Sequence, residues 1–451
     1  MCVREKLTAK NAELYAVKTK LEEAQDKIKK LLAQLNRDYE NSSLPSSMTI
    51  NHKKIHNSRE KTDRKPGAQP GHKGHIRRRQ EPTRVVQLPA PEQVQAKPEL
   101  YRKEQTVSKQ LVNLRIVLDV TEYRADIYRD RETGERIHAA FPAGVVNDVN
   151  YGGTVKAFAF LLNNRCNVSL DNCRGFLRDL TDGKLNLSKG MLNGLSRAFA
   201  ARTEPERKQY FAELLLKPVM HADATAARYN GQNANVYVCA SPDGTAMYFA
   251  REKKGHEGIK GTPVAVYQGT LVHDHDVSYY SYGTSHQECL AHVLRYLKDS
   301  MENEPERKWN KEMYDLLTRA IHLHNQLKPS KKLPVSKIKE IEAEYKKILT
   351  GAKEEYEYEP ATLYRDGYNL QARLAKDPDS YLRFLHDPAV PTTNNLAERL
   401  LRLFKRKQKQ AVAFRSFGAI DALCNSLSVL VMMQQNPDQS LYQQVAETFN
   451  G

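Results

Sequence analysis

Cysteine is scarce in this chain. Its six cysteines, at positions 2, 166, 173, 239, 289 and 424 of 451, include no Cys-x-x-Cys pair. That excludes a disulfide-built scaffold and makes a reducing cytoplasm the expected compartment. Long apolar runs are missing too. No stretch of about 18 apolar residues exists, so no membrane-spanning helix and no membrane partner are expected. The opening MCVREKLTAK has no apolar run after its charges, so no secretory signal is expected. Negative charge is in short supply: 54 Asp and Glu face 70 Lys and Arg, a net charge of +16. An excess of that size points to a polyanionic partner, nucleic acid before membrane. At about 100–200 residues per domain, the length predicts two to four domains.

Residues 3–37 carry a sevenfold apolar repeat. Leu7, Leu14, Leu21, Ile28 and Leu35 hold one core position, and Val3, Lys10, Val17, Ala24 and Leu31 hold the other. With charged flanks and no Gly or Pro, this predicts a coiled coil over 1–40 and a homo-oligomer, in the simplest case a dimer. Residues 41–80 are different material, rich in Pro, Gly and cations. Between 43 and 80, Lys53, Lys54, Arg59, Lys61, Arg64, Lys65, Lys73, Arg77, Arg78 and Arg79 face only Glu60 and Asp63. Such a segment reads as a flexible basic arm that follows a phosphate backbone or a minor groove, or as a solvated linker.

Residues 81–145 read as a small β-rich module. Ile116, Leu118 and Val120 share one face by period two, with Arg115, Asp119 and Thr121 on the other beside Val117, and a turn around Gly134 separates 125–129 from 136–141. Residues 146–215 read as helical. Ser169 and Ser188 stand where helix caps belong and Asp182-Gly183 makes a turn between them. A helix-turn-helix there would aim Lys189, Asn193 and Arg197 at a groove; an ordinary helical hairpin fits the same pattern. Residues 218–224, 233–240, 245–250 and 270–274 read as strands, 305–387 as charged helices, and a helix begins near Asn394-Asn395.

Three acids occupy distinctive places. Asp223 lies within the first of these strands, Asp274 ends the last, and Glu398 lies one turn into the helix. Each alone is more often a solvated carboxylate. Together, two Asp on neighbouring strands and a Glu on a helix can hold two Mg²⁺ ions about 4 Å apart, the arrangement that activates a water or a 3′-hydroxyl at a phosphodiester. His221 shares a face with Asp223 by strand alternation.

The stretches RKPGAQPGHKGH, HADATAARYNG, LVHDHDVSYYSYG, HQECLAHVLRYLKD and PTTNNLAERLLRLFKRKQKQAVAFRS occur in that order. Together they resemble transposases of the insertion sequence 66 family, over nearly the whole chain. The resemblance implies a multidomain α/β protein with an RNase H-like core and an Asp-Asp-Glu triad, here Asp223, Asp274 and Glu398 by motif match. These would be both the catalytic residues and the ligands of two Mg²⁺ or Mn²⁺ ions. It implies an enzyme of bacterial cytoplasm, active at the nucleoid on double-stranded DNA, both terminal inverted repeats and target. A catalytically inactive DNA-binding regulator of transposition and a nuclease of the same fold are the alternatives. Asp223 and Asp274 are 51 residues apart, room for the opening strands of such a core over 216–304. The 124 residues from Asp274 to Glu398 require a helical insertion at 305–387 before the core resumes over 388–451. Arg402 and Arg406 follow Glu398 at helical spacing, and Arg415 follows in a turn; all three are candidate phosphate contacts.

Two departures from the family pattern stand out. Residues 80–140 hold no cysteine, so the zinc pairs common after the glycine/basic motif are not supported. Where the family usually shows Asp-Gly, this chain has Asp274-His275-Asp276, which makes Asp276 a rival second ligand if the strand continues. His286, Cys289 and His292 recur at threes but lack a fourth zinc ligand, so their expected role is structural, beside the core.

The arm offers a direct test. Deleting residues 43–80 should weaken DNA binding and flatten its salt dependence by about 0.9 in the slope of log K for each lost phosphate contact. An unchanged slope would reduce the arm to a spacer.

Overall fold

A computed structural model describes residues 3–36, 71, 77–327, 331–356 and 366–450. Most of the basic arm, including Lys53, Lys54, Lys65 and Lys73, lies outside the described residues. The chain forms two compact units, residues 54–122 and residues 1–53 together with 123–451.

In the larger unit, helix α1 (Val3–Asn36) runs unbroken for 34 residues, as the gap-free sevenfold repeat predicts. Its stripe stays in solvent: Leu14 is 69% exposed and Ile28 57%. Among the described residues nothing covers that stripe, so the expectation of a second copy against it stands as one for experiment.

Among its described residues the smaller unit has the short helix α2 (Glu92–Ala96) and a 3-10 turn at Pro98–Leu100, and side chains bridge its segments. Arg79 donates to the Ser108 carbonyl and hydroxyl, and Gln80 and Gln110 exchange bonds between backbone and carboxamide. The strand expected around Ile116, Leu118 and Val120 does not form, and Val117 and Val120 are exposed. Alternation supplies a face but not a partner, and among the described residues of this unit no second strand offers a ladder. The expected module at 81–145 is therefore cut at 122. Its second half is a hairpin of the larger unit, β1 (Ile127–Arg129) against β2 (Arg136–His138). Asp130 closes the turn by accepting from the Glu132 and Thr133 amides, and Gly134 supplies the left-handed residue at φ 75°.

Helices α3 (Gly153–Asn164), α4 (Leu170–Leu180), α5 (Lys189–Arg202) and α6 (Glu204–Leu215) follow. The caps are those the sequence predicts: Ser169 accepts from the Asn172 amide and Ser188 from the Met191 amide. Asp182 and Gly183 turn between them with positive φ. Leu192, Leu195 and Phe199 bury one face of α5, leaving Lys189, Asn193 and Arg197 exposed on the other.

The sheet comprises β3 (Val219–Tyr229), β4 (Gln232–Ala240), β5 (Ala246–Arg251), β6 (Thr270–His273) and β7 (Ser285–Glu288), with α7 (His256–Ile259) between β5 and β6. Its order is β5-β4-β3-β6-β7. The first three strands pair antiparallel; β6 joins β3, and β7 joins β6, in parallel. Asn230-Gly231, both at positive φ, make the two-residue turn from β3 to β4.

Helices α8 (Leu290–Asn303), α9 (Trp309–Asn325), α10 (Val335–Glu355), α11 (Asp366–Lys376) and α12 (Asp379–His386) fill the long gap between the second and third acids. Trp309, Met313, Leu316, Ile341 and Tyr345 form a core continuous with Val219 and Val272 of the sheet. The chain then returns as α13 (Asn395–Ala411), α14 (Phe417–Met433) and α15 (Leu441–Asn450). Ala397, Leu401 and Phe404 of α13 lie on Ala227, Val236 and Val238, one face of the sheet. Met220, Ala222, Tyr237 and Cys239 face the other side, toward Leu214 of α6. Strand alternation therefore puts Asp223 on the α13 face.

Replacing Leu14, Leu21 and Ile28 together by Asp should leave α1 nothing apolar to pair. Sedimentation velocity should then report monomers or a smaller assembly. Retention of the parent's oligomeric state would place association elsewhere in the chain.

Candidate active site

Register brings the two aspartates together. β3 and β6 pair in parallel as far as His221 and Val272. Asp223 and Asp274 each lie two residues beyond that pair, side by side where the strands part. Glu398 reaches the same place from the first turn of α13.

Asn394, just before α13, fixes that approach. It is fully buried. His221 Nδ1 donates to its Oδ1 at 2.9 Å, and its Nδ2 donates to the Ala222 carbonyl at 2.9 Å. Its backbone N–H points at Cys289 Sγ from 3.2 Å, and its carbonyl accepts the Glu398 amide at 3.2 Å. One residue thus joins the strand of Asp223, the start of α8 and the helix of Glu398.

The electrostatics are those of crowded acids. Burial, then the Asp274 and Glu398 carboxylates, push Asp223 up to about 8. Burial also raises Asp274, against the opposing Asp276 amide and His292. Burial holds both His221 and His292 down at about 4, so both are neutral imidazoles at physiological pH. Glu398 Oε1 lies 3.6 Å from His292 Nε2, and Oε2 lies 3.7 Å from Arg402 Nη2. Oε1 is buried with no hydrogen-bond partner.

Asp276 is not turned toward this place as a strand residue. The strand ends at His273, so period-two alternation does not carry on to it. Its carboxylate caps the next turn, accepting from the Ser278 amide at 3.0 Å, with Lys254 Nζ at 3.6 Å. The expected His286, Cys289, His292 group also divides. His286 Nδ1 meets His273 Nε2 at 3.1 Å, whereas Cys289 and His292 join Glu398.

Arg402, Arg406 and Arg415 are exposed beyond Glu398, and Arg77, Arg78 and Arg79 are exposed in the smaller unit. Lys407 on the same helix is instead buried, its ammonium donating to the Asn163 carbonyl at 2.7 Å.

Sequence reasoning missed Asn394, read only as a helix start, and Glu288. Buried Glu288 accepts from His275 Nδ1 at 2.7 Å, from Tyr381 Oη at 2.8 Å and from the Tyr280 hydroxyl. Burial opposes its charge, but the His275 and Tyr280 bonds outweigh it and hold Glu288 down at about 2.

A family model described as Transposase IS66 family matches residues 156–421, a span that includes all three acids. This chain belongs to the IS66 family of transposases. A second model, for a family of unknown function (DUF6444), matches residues 2–78. A search of curated proteins returns no match. Membership in the IS66 family implies DNA binding and DNA cleavage in general terms. Among the described residues, no helix is long and apolar enough to cross a membrane.

The raised Asp223 has a measurable consequence. Its value is 3.8 when unperturbed and about 8 in the fold. Between those limits the folded chain holds an extra proton, so the group's contribution to stability is full below about pH 4 and lost as pH rises toward 8. Asp223→Asn removes that loss. In chelator, its thermal midpoint should fall less than the parent's from pH 4 to pH 8, leaving the variant the more stable at pH 8. Parallel profiles would show that the fold does not raise Asp223.

Proposed function

We propose that this IS66-family transposase has an RNase H-like core in which Asp223, Asp274 and Glu398 are the catalytic triad, cutting element ends and joining them to target DNA. The observation that carries the reading is the convergence of three carboxylates from β3, the end of β6 and α13, where burial, then Asp274 and Glu398, raise Asp223. The sheet order supports the RNase H-like assignment, with three antiparallel strands followed by two parallel ones.

The residues fit a hard divalent ion. Carboxylate oxygens are the donors Mg²⁺ and Mn²⁺ take, and Glu398 Oε1 is buried without a partner. Asp223, Asp274 and Glu398 would hold it. Bound there, two such ions supply Lewis-acid polarisation of the phosphoryl group and a lowered pKa for the attacking water or 3′-hydroxyl. The protein's own task is positioning. Asn394 sets Glu398 against Asp223, and Arg402, Arg406 and Arg415 grip phosphates flanking the scissile bond. The exposed Lys189, Asn193 and Arg197 of α5 offer a second contact to the duplex. No nucleophilic Ser or Tyr is required, because water or a DNA hydroxyl attacks phosphorus directly.

Asp223→Asn, Asp274→Asn and Glu398→Gln should each cut cleavage of a cognate end by more than about 100-fold, since even outer-shell partners of a metal cost 10–100-fold. DNA binding by gel shift should be nearly unchanged. Three variants that cleave like the parent would overturn the triad. A parent that binds but never cleaves would be a regulator, and one that cleaves without joined products would be a nuclease.

A further inference from the structure

Two ligand-type side chains beside Glu398 have no part in that hard-ion chemistry. Cys289 stands at the N-cap of α8 and His292 lies three residues on, so both face one side of the helix start. Ligand atoms of Cys289, His292 and Glu398 all lie within 4.8 Å of one another. The 3.6 Å between His292 Nε2 and Glu398 Oε1 suits two ligands of one tetrahedral ion, whose bonds are about 2.0–2.3 Å. That oxygen is also the buried one without a hydrogen-bond partner. Burial raises the Cys289 thiol, and the Asn394 amide directed at its sulfur opposes that, so a metal cation is what would draw the thiolate out.

We propose that Cys289, His292 and Glu398 form a binding site for a borderline-soft divalent cation, Zn²⁺ or an ion like it, with a fourth position open. Thiolate and imidazole donors select such an ion over Mg²⁺, which prefers oxygen. Three protein ligands with an open position describe a reactive site rather than a closed structural one. On binding, the Cys289 S–H bond breaks, its proton goes to solvent and a sulfur–metal bond forms. Glu398 becomes a shared ligand, so an ion held here occupies a carboxylate that the catalytic reading needs. Only this last consequence rests on that reading; the ligand set does not.

The test uses the full chain with Cd²⁺ and Co²⁺ as probes, without DNA or Mg²⁺, so that its failure is distinct from failure of the triad. One equivalent of Cd²⁺ should give a thiolate-to-metal charge-transfer band, and Co²⁺ the visible bands of a tetrahedral site. Cys289→Ser should abolish the Cd²⁺ band, while Cys166→Ser, at an exposed cysteine, should leave it. His292→Ala and Glu398→Gln should each weaken Cd²⁺ binding at least about tenfold. Cys289 is buried, so circular dichroism accompanies its variant, and the half-buried His292 supplies an independent arm should Cys289→Ser unfold. A parent chain with no sulfur band, a band that survives Cys289→Ser, or an affinity indifferent to both His292→Ala and Glu398→Gln would overturn the proposal.

Discussion

The carboxamide of Asn394 is fully buried and both its bonds run to β3, while its backbone meets the start of α8 and the helix of Glu398. A buried amide left unpaired costs about 1–3 kcal/mol per group, so its partners are tightly constrained. Here they are His221 and the Ala222 carbonyl, the two residues before Asp223. The same residue's carbonyl opens the helix of Glu398. The distance between two acids 175 positions apart in sequence is thus set by a few bonds to one residue. The rest of α13 holds its seat by apolar packing of Leu401 and Phe404 and by the Tyr248 hydroxyl donating to the Leu400 carbonyl at 2.8 Å. A helix pinned at its start and buried along one face has little freedom to turn, and a turn would carry Glu398 away.

This rigidity works against the site's own electrostatics. Burial first, and then the Asp274 and Glu398 carboxylates, raise Asp223, and burial raises Asp274. Arg402 reaches Glu398 from solvent at 3.7 Å, and exposed pairs of that kind contribute little. Apolar burial on both faces of β3 and β4 supplies what the acids oppose. The divalent ions proposed above would answer that cost with positive charge. Neutral His292 fits that arrangement, because a protonated imidazole there would compensate Glu398 and compete with a cation.

Much of this was legible because it is local. The caps at Ser169 and Ser188, the Asp182-Gly183 turn, the hairpin around Gly134 and the alternation in β3 and β4 each depend on a few consecutive residues. The length between Asp274 and Glu398 required an insertion, and helices α9 to α12 occupy it. What was not legible depends on partners distant in sequence. Ile116, Leu118 and Val120 alternate as a strand does, yet alternation does not supply a neighbouring strand. His286, Cys289 and His292 share a spacing of three, but β7 ends at Glu288 and α8 begins at Leu290. The change from strand to helix sends His286 to His273 and the other two to Glu398. Asp276 shows the same limit, since its expected direction required a strand that stops at His273.

The helical insertion is more than a spacer between the second and third acids, because of one buried anion. Glu288 ends β7 and is almost wholly inaccessible, so its charge persists only by virtue of its hydrogen bonds. Two of those bonds come from His275 and Tyr280, in the segment that follows Asp274, and the third comes from Tyr381 on α12 of the insertion. Neighbouring Gln287 repeats the link, accepting from the Phe384 amide at 3.0 Å and donating to the Tyr381 carbonyl at 3.3 Å. The loop carrying Asp274 is therefore braced from the insertion side, as the helix carrying Glu398 is braced by Asn394 from the strand side. Asp223 stands between them on the longest strand of the sheet, tied by backbone ladders on one side and by Asn394 through its two preceding residues. Each of the three acids thus takes its position from a different kind of restraint: ladder, buried amide and buried anion. A small displacement of any one element is resisted by bonds that do not involve the acids themselves, so their mutual repulsion is borne by the scaffold.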